Sequence, residues 1–320
     1  MTATRPVRPT DIFALAWLNG RAPRNEAYPW EALDGPPRRA PHAAAVVGGW
    51  PPFALNRRTW VTVRRGRVLG LLSTRPRGGR AAWEVDGLFV SDTPPERVAL
   101  ALFDRMAASA ARAGVIKLFL RVRAGSALVQ AARKGGFVPY TTEHLLRLET
   151  ITPGPNGALP PGLTLRPRER TDDHDLFRLY CRVAPQPVRA VEAMTLTEWQ
   201  AAQEDRGRGR KAVDLVGESG GGLVAWARTG RAGGVSRIDL VIDPDRPEVA
   251  APLLGWLLRE VGEQRPVVAT VPAYAAGVLD RMVEEGFVHA GEYALLARRL
   301  TAPIRAGQPV RAAVKAVPTL

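Results

Sequence analysis

The chain alternates short apolar runs with longer amphipathic stretches, and this alternation occurs twice in the same order. In the first pass, "TWVTVRRGRVLGLLST" has the period-two pattern and central turn of a hairpin. We then predict a strand over Ala82–Val90, a helix over 96–113, the strand "IKLFLRV", a helix over 126–134 and a last strand "HLLRLE". Gly135 and Gly136 end the second helix.

The second half of the chain repeats these elements. The segment "KAVDLVGESGGGLVAWART" predicts the hairpin, with glycines 220–222 in its turn, and "VSRIDLVI" predicts the next strand. Helices are predicted over 248–261 and 275–285, with the strand "PVVATV" between them and "YALLARRL" last. This succession of strands and helices predicts an α/β unit with a mixed sheet.

Matching landmarks indicate that one unit has been duplicated. The openings "RPVRPTDIFALAWL" and "LTLRPRERTDDHDLFRLY" both give a short strand, Arg-Pro, acidic residues and an amphipathic helix. Phe137 and Phe287 each follow a glycine and lie 150 positions apart. Val90 and Val241, which we expect to end the two central strands, lie 151 positions apart. A near-constant offset is typical of an internal repeat.

A proline- and glycine-rich stretch, "TITPGPNGALPPG" at 150–162, predicts a linker between the two units. We therefore expect domains at 1–149 and 163–300. The remaining residues, 301–320, are basic and interrupted by proline, which predicts a flexible tail.

Composition places the chain among globular proteins that bury a core. It has 320 residues, of which 46% are hydrophobic and 24% are charged. No apolar run is long enough to span a bilayer, and the N-terminus lacks the apolar segment of a signal peptide. Cys181 is the only cysteine, which excludes an internal disulfide and fits a cytoplasmic location. The four histidines show no ligand spacing, so we expect no metal site.

The net charge of +14 has two interpretations. Arginine-rich solvated surfaces are the simpler one, because the basic residues are spread along the chain. An anionic partner, either nucleic acid or a phosphate-rich cofactor, is the other. The densest basic stretch, "RGRGRK" at 206–211, is compatible with both.

The segment "VIDPDRPEVAAPLL" at 241–254 is the strongest chemical signal. It predicts the end of a strand, a short loop and the start of a helix. Unpaired N–H groups and the helix dipole favour an anion at such a position. Loops of this kind commonly carry glycines, and this one has none.

The element order and the two Gly-Phe landmarks resemble the GCN5-related N-acetyltransferase (GNAT) fold, and the resemblance covers both halves. It implies two tandem domains, each a mixed, mostly antiparallel sheet flanked by helices. The implied activity is acyl-CoA-dependent N-acyl transfer, with acetyl-CoA or another acyl-CoA as cofactor. The implied partner is a small-molecule or peptide amine that accepts the acyl group.

In that family the loop after the central strand reads Arg/Gln-x-x-Gly-x-Gly/Ala and faces the pyrophosphate of the cofactor. The second half keeps Arg246 and Ala251 but has Val249 at the middle glycine, whereas the first half, at 95–100, keeps none of these positions. The resemblance therefore favours the second half for the cofactor, with backbone N–H groups near Val241 polarising the thioester. The expected cofactor-binding residues are Val241, Ile242, Arg246, Pro247, Glu248, Val249, Ala250 and Ala251.

Other marks of the family are missing. The family often has an asparagine at the start of the last long helix, and this position falls on Gly125 and Ala275. It also has a tyrosine within that helix that serves as general acid for the CoA thiolate, and this position falls on Ala132 and Met282. Tyr274 lies nearby, but we interpret it as a half-buried aromatic residue at a strand end. A degenerate, non-catalytic pair that serves as a binding or scaffolding module is thus the alternative function.

Acyl transfer to an amine needs a group that takes the amine proton. The candidates are Glu84 and Asp86 on the first central strand and Asp239 on the second. Glu84 and Asp86 share one face of the predicted strand, so each could raise the pKa of the other. A solvated face, or pairing with nearby arginines, is the simpler interpretation.

The segment 20–58, with Trp30 and Trp50, either lines the acceptor site or is an irregular surface connection.

Overall fold

The protein is described by a computed structural model. The described residues are 2–11, 14–15, 18, 24–33, 57–79, 81–91, 95–151, 159–193, 195–206, 210–232, 234–262 and 266–301. Several predicted features lie wholly or partly outside them: the linker interior at 152–158, the tail at 302–320, residues 207–209 of the basic stretch, and Trp50.

Twelve strands occur within the described residues. They are β1 Thr2–Pro6, β2 Arg58–Arg64, β3 Arg67–Pro76, β4 Ala82–Val90, β5 Lys117–Arg123, β6 Val138–Leu148, β7 Thr164–Pro167, β8 Arg210–Ser219, β9 Gly222–Ala232, β10 Val235–Ile242, β11 Val267–Pro272 and β12 Val288–Arg299. The predicted hairpins are confirmed, and Gly220 and Gly221 form the second turn with φ of 61° and 79°. β6 and β12 begin about five residues earlier than their apolar runs suggested.

Two of the helices, Gln186–Glu192 and Leu196–Arg206, were not predicted, whereas the four helices predicted with bounds are confirmed to within about two residues and the helix of the second opening segment is present. Seven α-helices have their bounds within the described residues. They are α1 Pro95–Arg112, α2 Leu128–Lys134, α3 Asp173–Val183, α4 Gln186–Glu192, α5 Leu196–Arg206, α6 Ala250–Val261 and α7 Ala276–Glu284. A 3₁₀ turn, Pro247–Val249, precedes α6. None of these helices combines the length and the apolar character needed to cross a membrane.

All twelve strands form one sheet, in the order β1-β2-β3-β4-β5-β12-β6-β11-β10-β9-β8-β7. This order is symmetric about the central β12–β6 pair. On each side the pair of central strands is parallel, β4 with β5 and β10 with β11, and the other neighbours are antiparallel. The mixed, mostly antiparallel sheet predicted for each half is therefore confirmed.

The last strand of each half lies on the other side of the symmetry axis. β6, from the first half of the sequence, pairs with β11, and β12, from the second half, pairs with β5. The two exchanged strands pair with each other along most of their length. This pairing explains why both strands extend beyond their apolar runs. The domain limits at 1–149 and 163–300 stay a prediction about the sequence, because the sheet itself is shared.

The duplicated opening motif forms the same ionic clasp in both halves. Arg5 donates from both terminal nitrogens to Asp11 at 2.7 Å, and Arg166 does so to Asp172 at 2.6 and 2.8 Å. Each carboxylate also accepts a backbone N–H three residues earlier. The arginine bonds lower the pKa of Asp11 and of Asp172 below the ordinary aspartate value. The arginine of Arg-Pro and the aspartate of Thr-Asp thus recur in both halves because they form this ion pair.

Helices pack on the sheet through apolar faces with helical spacing. In α1, Val98, Leu102 and Met106 recur every four residues and are buried. Phe137, the first Gly-Phe landmark, packs against Phe103 of α1 with ring centroids 5.3 Å apart. Phe287 is likewise buried, in the core beneath α6 and α7. The landmark therefore marks where the chain leaves a helix and enters the core.

One predicted equivalence between the halves is wrong by a residue. β10 ends at Ile242, not at Val241. The amides of Ser91 and Asp243 both bond back to a carbonyl of the preceding strand, so Val90 corresponds to Ile242. Val241 packs instead on the opposite face of the sheet, against the cluster beneath α3 and α5.

Candidate active site

The parallel strands β10 and β11 separate at their carboxyl ends and open the sheet. Their ladder stops after the pair Ile238 and Ala269, whereas the strands run on to Ile242 and Pro272. A cavity of about 110 Å³ lies at this opening, which we call the second-half wedge. Within the described chain no strand fills the gap, so the facing backbone groups are available to a ligand that hydrogen-bonds as a strand does.

The second-half wedge is built from both halves of the chain. Its sheet side consists of Asp239, Leu240, Val241, Thr270, Pro272 and Tyr274. Helices α3 and α5 cover it with Leu179 and Trp199, and the first half contributes Arg77 and Glu143. Glu143 reaches the wedge because strand exchange places it directly beside Pro272.

Buried polar and charged side chains next to the wedge form hydrogen bonds within the first half and between the two halves. Glu143 accepts a hydrogen bond from Arg121 at 2.7 Å, and the Tyr140 hydroxyl donates to Glu192 at 2.9 Å. The Arg77 guanidinium lies 4.0 Å from the Phe119 ring centroid. Burial alone would lower the Arg77 pKa, but the neighbouring Tyr140, Glu84 and Glu192 raise it above its ordinary value. Arg77 is therefore a permanent cation in the wedge wall.

The corresponding opening in the first half is filled by the chain itself. The β4–β5 ladder stops after Glu84 and Phe119, although both strands continue. The Asn25 side chain enters the gap, accepting from the amide of Leu88 at 2.7 Å and donating to the carbonyl of Asp86 at 3.0 Å. Asn25 is only 2% exposed, so it replaces the missing partner strand rather than lining a pocket.

Neighbours of Asn25 complete this plug. The amide of Glu26 donates to the carbonyl of Leu88, and the amide of Tyr28 donates to the carbonyl of Arg121. Tyr28 then packs on Tyr293 with ring centroids 4.9 Å apart. We call residues 25–28 the first-half plug. The described part of segment 20–58 is thus neither an acceptor-site wall nor a surface connection at this point.

The loop that follows β10 is held by its own hydrogen bonds. Asp243 accepts from the amide of Asp245 at 3.2 Å and from the Arg182 side chain at 2.8 Å. The amide of Val249 bonds to the carbonyl of Arg246 at 3.2 Å, and the amide of Ala250 bonds to the carbonyl of Pro247. Two of the predicted anion-binding N–H groups therefore already have partners within the loop.

A carboxylate stands at the start of α6. Arg246 donates to Glu248 at 2.5 Å and to the Ser219 hydroxyl at 3.0 Å. The hydrogen bond from Arg246, followed by one from the backbone N–H of Glu248 itself, lowers the pKa of Glu248 below its ordinary value. Glu248 thus holds a negative charge near the helix N-terminus, which weakens attraction for another anion.

The two candidate carboxylates of the first half are paired with polar or basic groups. Glu84 accepts from Arg75 at 2.8 Å, and Asp86 accepts from the Ser73 hydroxyl at 2.7 Å. Burial raises the Glu84 pKa, but the charges of Arg77, Arg75 and Arg121 outweigh it and leave the pKa below its ordinary value. These contacts match pairing with nearby arginines, the simpler of the two interpretations.

Asp239, the candidate of the second half, is in a different position. It is the first residue of β10 beyond the ladder with β11, it is half-buried, and it lines the wedge. Its cross-strand neighbour is Arg228 of β9. Tyr274 is half-buried just after β11, as predicted, but it also lines the wedge.

Comparison with known proteins identifies the architecture. No protein-family model matches the chain, and no curated protein matches it significantly. Among solved structures, it is similar to a tandem GNAT protein from the clavulanic acid biosynthesis pathway, at 19% identity and TM-score 0.54, covering 93% of this chain and 98% of that one.

The chain has the fold of a tandem GNAT protein. It is also similar to a GCN5-related N-acetyltransferase from Sphaerobacter thermophilus, at 16% identity and TM-score 0.53, covering 93% and 95% of the two chains. A functionally unknown conserved protein from Staphylococcus epidermidis matches at 12% identity and TM-score 0.52, covering 72% and 91%.

Within this tandem GNAT fold, the positions at which the sequence lacks the family's asparagine and tyrosine lie just before and within α2 and α7. Ala275 follows Tyr274, immediately before α7, and Met282 is buried within α7. In the first half, Gly125 precedes α2 and Ala132 is buried within it. None of these four side chains can donate a proton, whereas the phenols of Tyr180 and Tyr274 both line the second-half wedge.

Sequence reasoning missed the site residues that come from other elements. Arg77, Glu143 and Trp199 line the wedge, yet each is far from β10 in the sequence. No local motif marks them, because their position depends on strand exchange and on helix packing. The Asn25 plug was missed for the same reason.

Proposed function

We propose that the chain is an acyl-CoA-dependent N-acyltransferase that binds its cofactor in the second half. The observation that carries this proposal is the contrast between the wedges. The second-half wedge is open and lined by Leu240, Val241 and Thr270, whereas the first-half plug occupies the equivalent gap. An acyl-CoA molecule ends in an extended arm with two amides, which suits a gap between strand edges.

The second-half wedge fits this group by shape and by hydrogen-bonding capacity. Acyl-CoA, when bound, supplies an acyl group activated as a thioester. The edge of β10 near Val241 would hold the amides of the arm, and the loop 243–251 would face the phosphates, with Arg246 as the cation. Arg77 adds a positive charge in the wedge wall, which favours negative charge developing on the carbonyl oxygen.

In the proposed reaction, the acceptor amine forms a C–N bond as the C–S bond breaks. We assign to Asp239, which lines the wedge, the role of taking the proton that the amine loses. We assign to Tyr274, which also lines the wedge, the role of giving a proton to the departing thiolate. Helices α3 and α5 cover this side of the sheet and would exclude water from a bound thioester.

A non-catalytic module is the second candidate function, and Glu248 is the observation that favours it. Its carboxylate stands where a phosphate would bind, and within the described residues the equivalent gap of the first half is closed by the plug. On this proposal the chain keeps the tandem fold and its shared sheet but binds no acyl-CoA. The two candidates differ in one measurable property, the response to cofactor.

A thermal-shift titration with acetyl-CoA tests the proposal, with ADP as the control for the nucleotide. Binding at a hundredfold excess over Kd would stabilise the fold by about 2.7 kcal/mol, because the ligand binds only the folded state. Thr270→Trp, which fills the wedge, should abolish the shift and leave the unliganded Tm nearly unchanged. No shift at millimolar acetyl-CoA would favour the non-catalytic module.

A further inference from the structure

A second and larger cavity, of about 570 Å³, adjoins the second-half wedge on the same face of the sheet. Gln203 of α5 lines both cavities. The larger one is lined by three arginines and three acids: Arg168, Arg170, Arg228, Glu169, Asp173 and Asp214. We call it the charged cavity. Its size is that of a site for a small molecule rather than for a protein chain.

Two carboxylates of the charged cavity accept its hydrogen bonds: Asp173, which is bonded to Arg168 at 2.5 Å and to Gln200 at 2.7 Å, and Asp214. Asp214 accepts from the Trp226 indole at 2.6 Å, from Arg168 at 3.2 Å and from Arg228 at 3.1 Å. Both arginines share the same oxygen, Oδ2. Two guanidinium groups that share one acceptor oxygen retain donors for a second carboxylate.

Arg228 is the arginine best placed to bind a second carboxylate, that of a ligand. The residue is 7% exposed, and its guanidinium lies 5.0 Å from the Trp226 ring centroid. Among the described residues, Asp214 is its single hydrogen-bond acceptor. Arg228 is thus a nearly buried, planar donor that lines the charged cavity and keeps nitrogens beyond the one bonded to Asp214.

The position of Arg228 relates the charged cavity to the chemistry. Arg228 and Asp239 are direct cross-strand partners, so their side chains project from the same face about 5 Å apart at Cα. In an α-amino acid, the nitrogen and the carboxylate carbon are about 2.5 Å apart. A carboxylate held by Arg228 therefore places an α-amino group next to Asp239, at the mouth of the wedge.

We propose that the acyl acceptor is a small zwitterion, an amino acid or a compound with a free α-amino carboxylate. Arg228, supported by Arg168, binds the carboxylate, and the amine is directed to Asp239. The balance of three cations and three anions in the cavity suits a ligand that carries both charges. This inference rests on the proposed acyltransferase for its reaction, but the zwitterion site stands on the cavity alone.

Binding is tested first, without acyl-CoA. The standard L-amino acids and their C-terminal amides are titrated by calorimetry against the full chain. The amide keeps the amine and removes the negative charge, so the comparison isolates the carboxylate. We expect at least one amino acid to bind about tenfold to a hundredfold more tightly than its amide, as for a hydrogen bond to a charged group. Equal or absent binding of acids and amides overturns the inference.

Two variants and a matched control locate the site. Arg228→Gln should remove the preference for the acid, and Arg228→Lys, which keeps the charge but loses the planar fork, should retain part of it. Arg231→Gln is the control, because Arg231 lies on the same strand and instead bonds to the carbonyl of Val261 at 3.3 Å. A preference that survives Arg228→Gln in a folded variant also overturns the inference.

Thiol release from acetyl-CoA then separates this inference from the proposed function. Acid-selective binding without any response to acetyl-CoA would refute the acyltransferase and leave the zwitterion site. Turnover of acetyl-CoA with simple amines, and none with an amino acid that binds, would support the transferase and refute the zwitterion as acceptor. Turnover selective for the acid, lost in Arg228→Gln, would support both.

Discussion

The two wedges of this tandem GNAT fold begin alike and end differently. In each half, a short parallel ladder stops and two strand edges diverge. In the first half, Asn25 and the backbone of residues 26–28 satisfy those edges from within the chain. In the second half, the gap remains open at Val241 and Thr270. What fills the unpaired edges therefore decides which copy of a duplicated fold can hold a ligand.

The carboxylates of the two central strands differ in the same way. Glu84 is bonded to Arg75 and has a lowered pKa, whereas Asp239 lies at the mouth of the open wedge. A carboxylate held in an ion pair with arginine is a weak proton acceptor. The proposed function therefore takes Asp239 as the proton acceptor because it lines the open wedge, to whose wall the first half contributes Arg77 and Glu143.

The largest effect is expected from exchanging the two carboxylates for amides. Asp239→Asn should lower kcat with acetyl-CoA by about a hundredfold to ten-thousandfold, because it removes the proposed proton acceptor. Glu84→Gln should leave kcat within a few-fold of wild type. Thiol release under saturating acceptor measures both. Similar losses in the two variants would remove the distinction between the halves.

The next effect concerns stability. Asn25→Ala should lower the free energy of unfolding by about 3 to 5 kcal/mol, because it leaves buried backbone groups of Leu88, Asp86 and Ala27 without partners. The rise in Tm caused by acetyl-CoA should be unchanged. Denaturant unfolding followed by tryptophan fluorescence measures the first quantity.

Gln130→Ala is the matched control for this variant, since Gln130 is an exposed amide in the same half. It should change the free energy of unfolding by no more than about 0.5 kcal/mol. A second acetyl-CoA binding event in Asn25→Ala, seen by calorimetry, would show that the plug alone closes the first half. A loss of acetyl-CoA binding would instead place the cofactor there.

The smallest effect concerns the loop before α6, where Glu248 lies. Glu248→Gln should tighten acetyl-CoA binding about twofold to fivefold, because it removes a negative charge from the helix N-terminus. Since the pKa of Glu248 is lowered, its charge persists below the ordinary glutamate pKa, and mild acidification should not reproduce the effect.

Glu260→Gln provides the comparison for Glu248→Gln, because Glu260 is exposed at the other end of the same helix. Its affinity for acetyl-CoA should equal that of wild type. Calorimetry at two salt concentrations would measure all three proteins. Weaker binding in Glu248→Gln would mean that Glu248 holds Arg246 in place for the cofactor rather than competing with it.

Much of the fold could be predicted because its signals are local. Period-two runs, four-residue apolar spacing and terminal glycines fixed the hairpins and helices, and the repeated Arg-Pro and Thr-Asp letters correspond to matching ionic clasps. Strand exchange could not be predicted, because β6 and β12 have similar patterns and each could pair within its own half. Pairing between strands far apart in sequence leaves no local mark.

The site was predictable only where it lies on one element. The strand end at Asp239 and Val241 was found because a strand, loop and helix follow one another there. The predicted mutual effect of Glu84 and Asp86 ignored Arg75, Arg77 and Ser73, which come from the neighbouring strand and the turn after it. Arg228 and Glu143 carry no motif, and their roles come from cross-strand pairing.

Strand exchange also sets an order on biosynthesis. The edge of β5 is covered by β12, whose residues 288–299 are synthesised long after β5. While only the first half has been synthesised, the edge of β5 is therefore uncovered, and β6 lacks its neighbour β11. Cleavage in the linker would yield two fragments that each lack a central strand of their own sheet. Because each half supplies a strand to the other half's part of the sheet, we expect the two halves to fold together rather than one after the other.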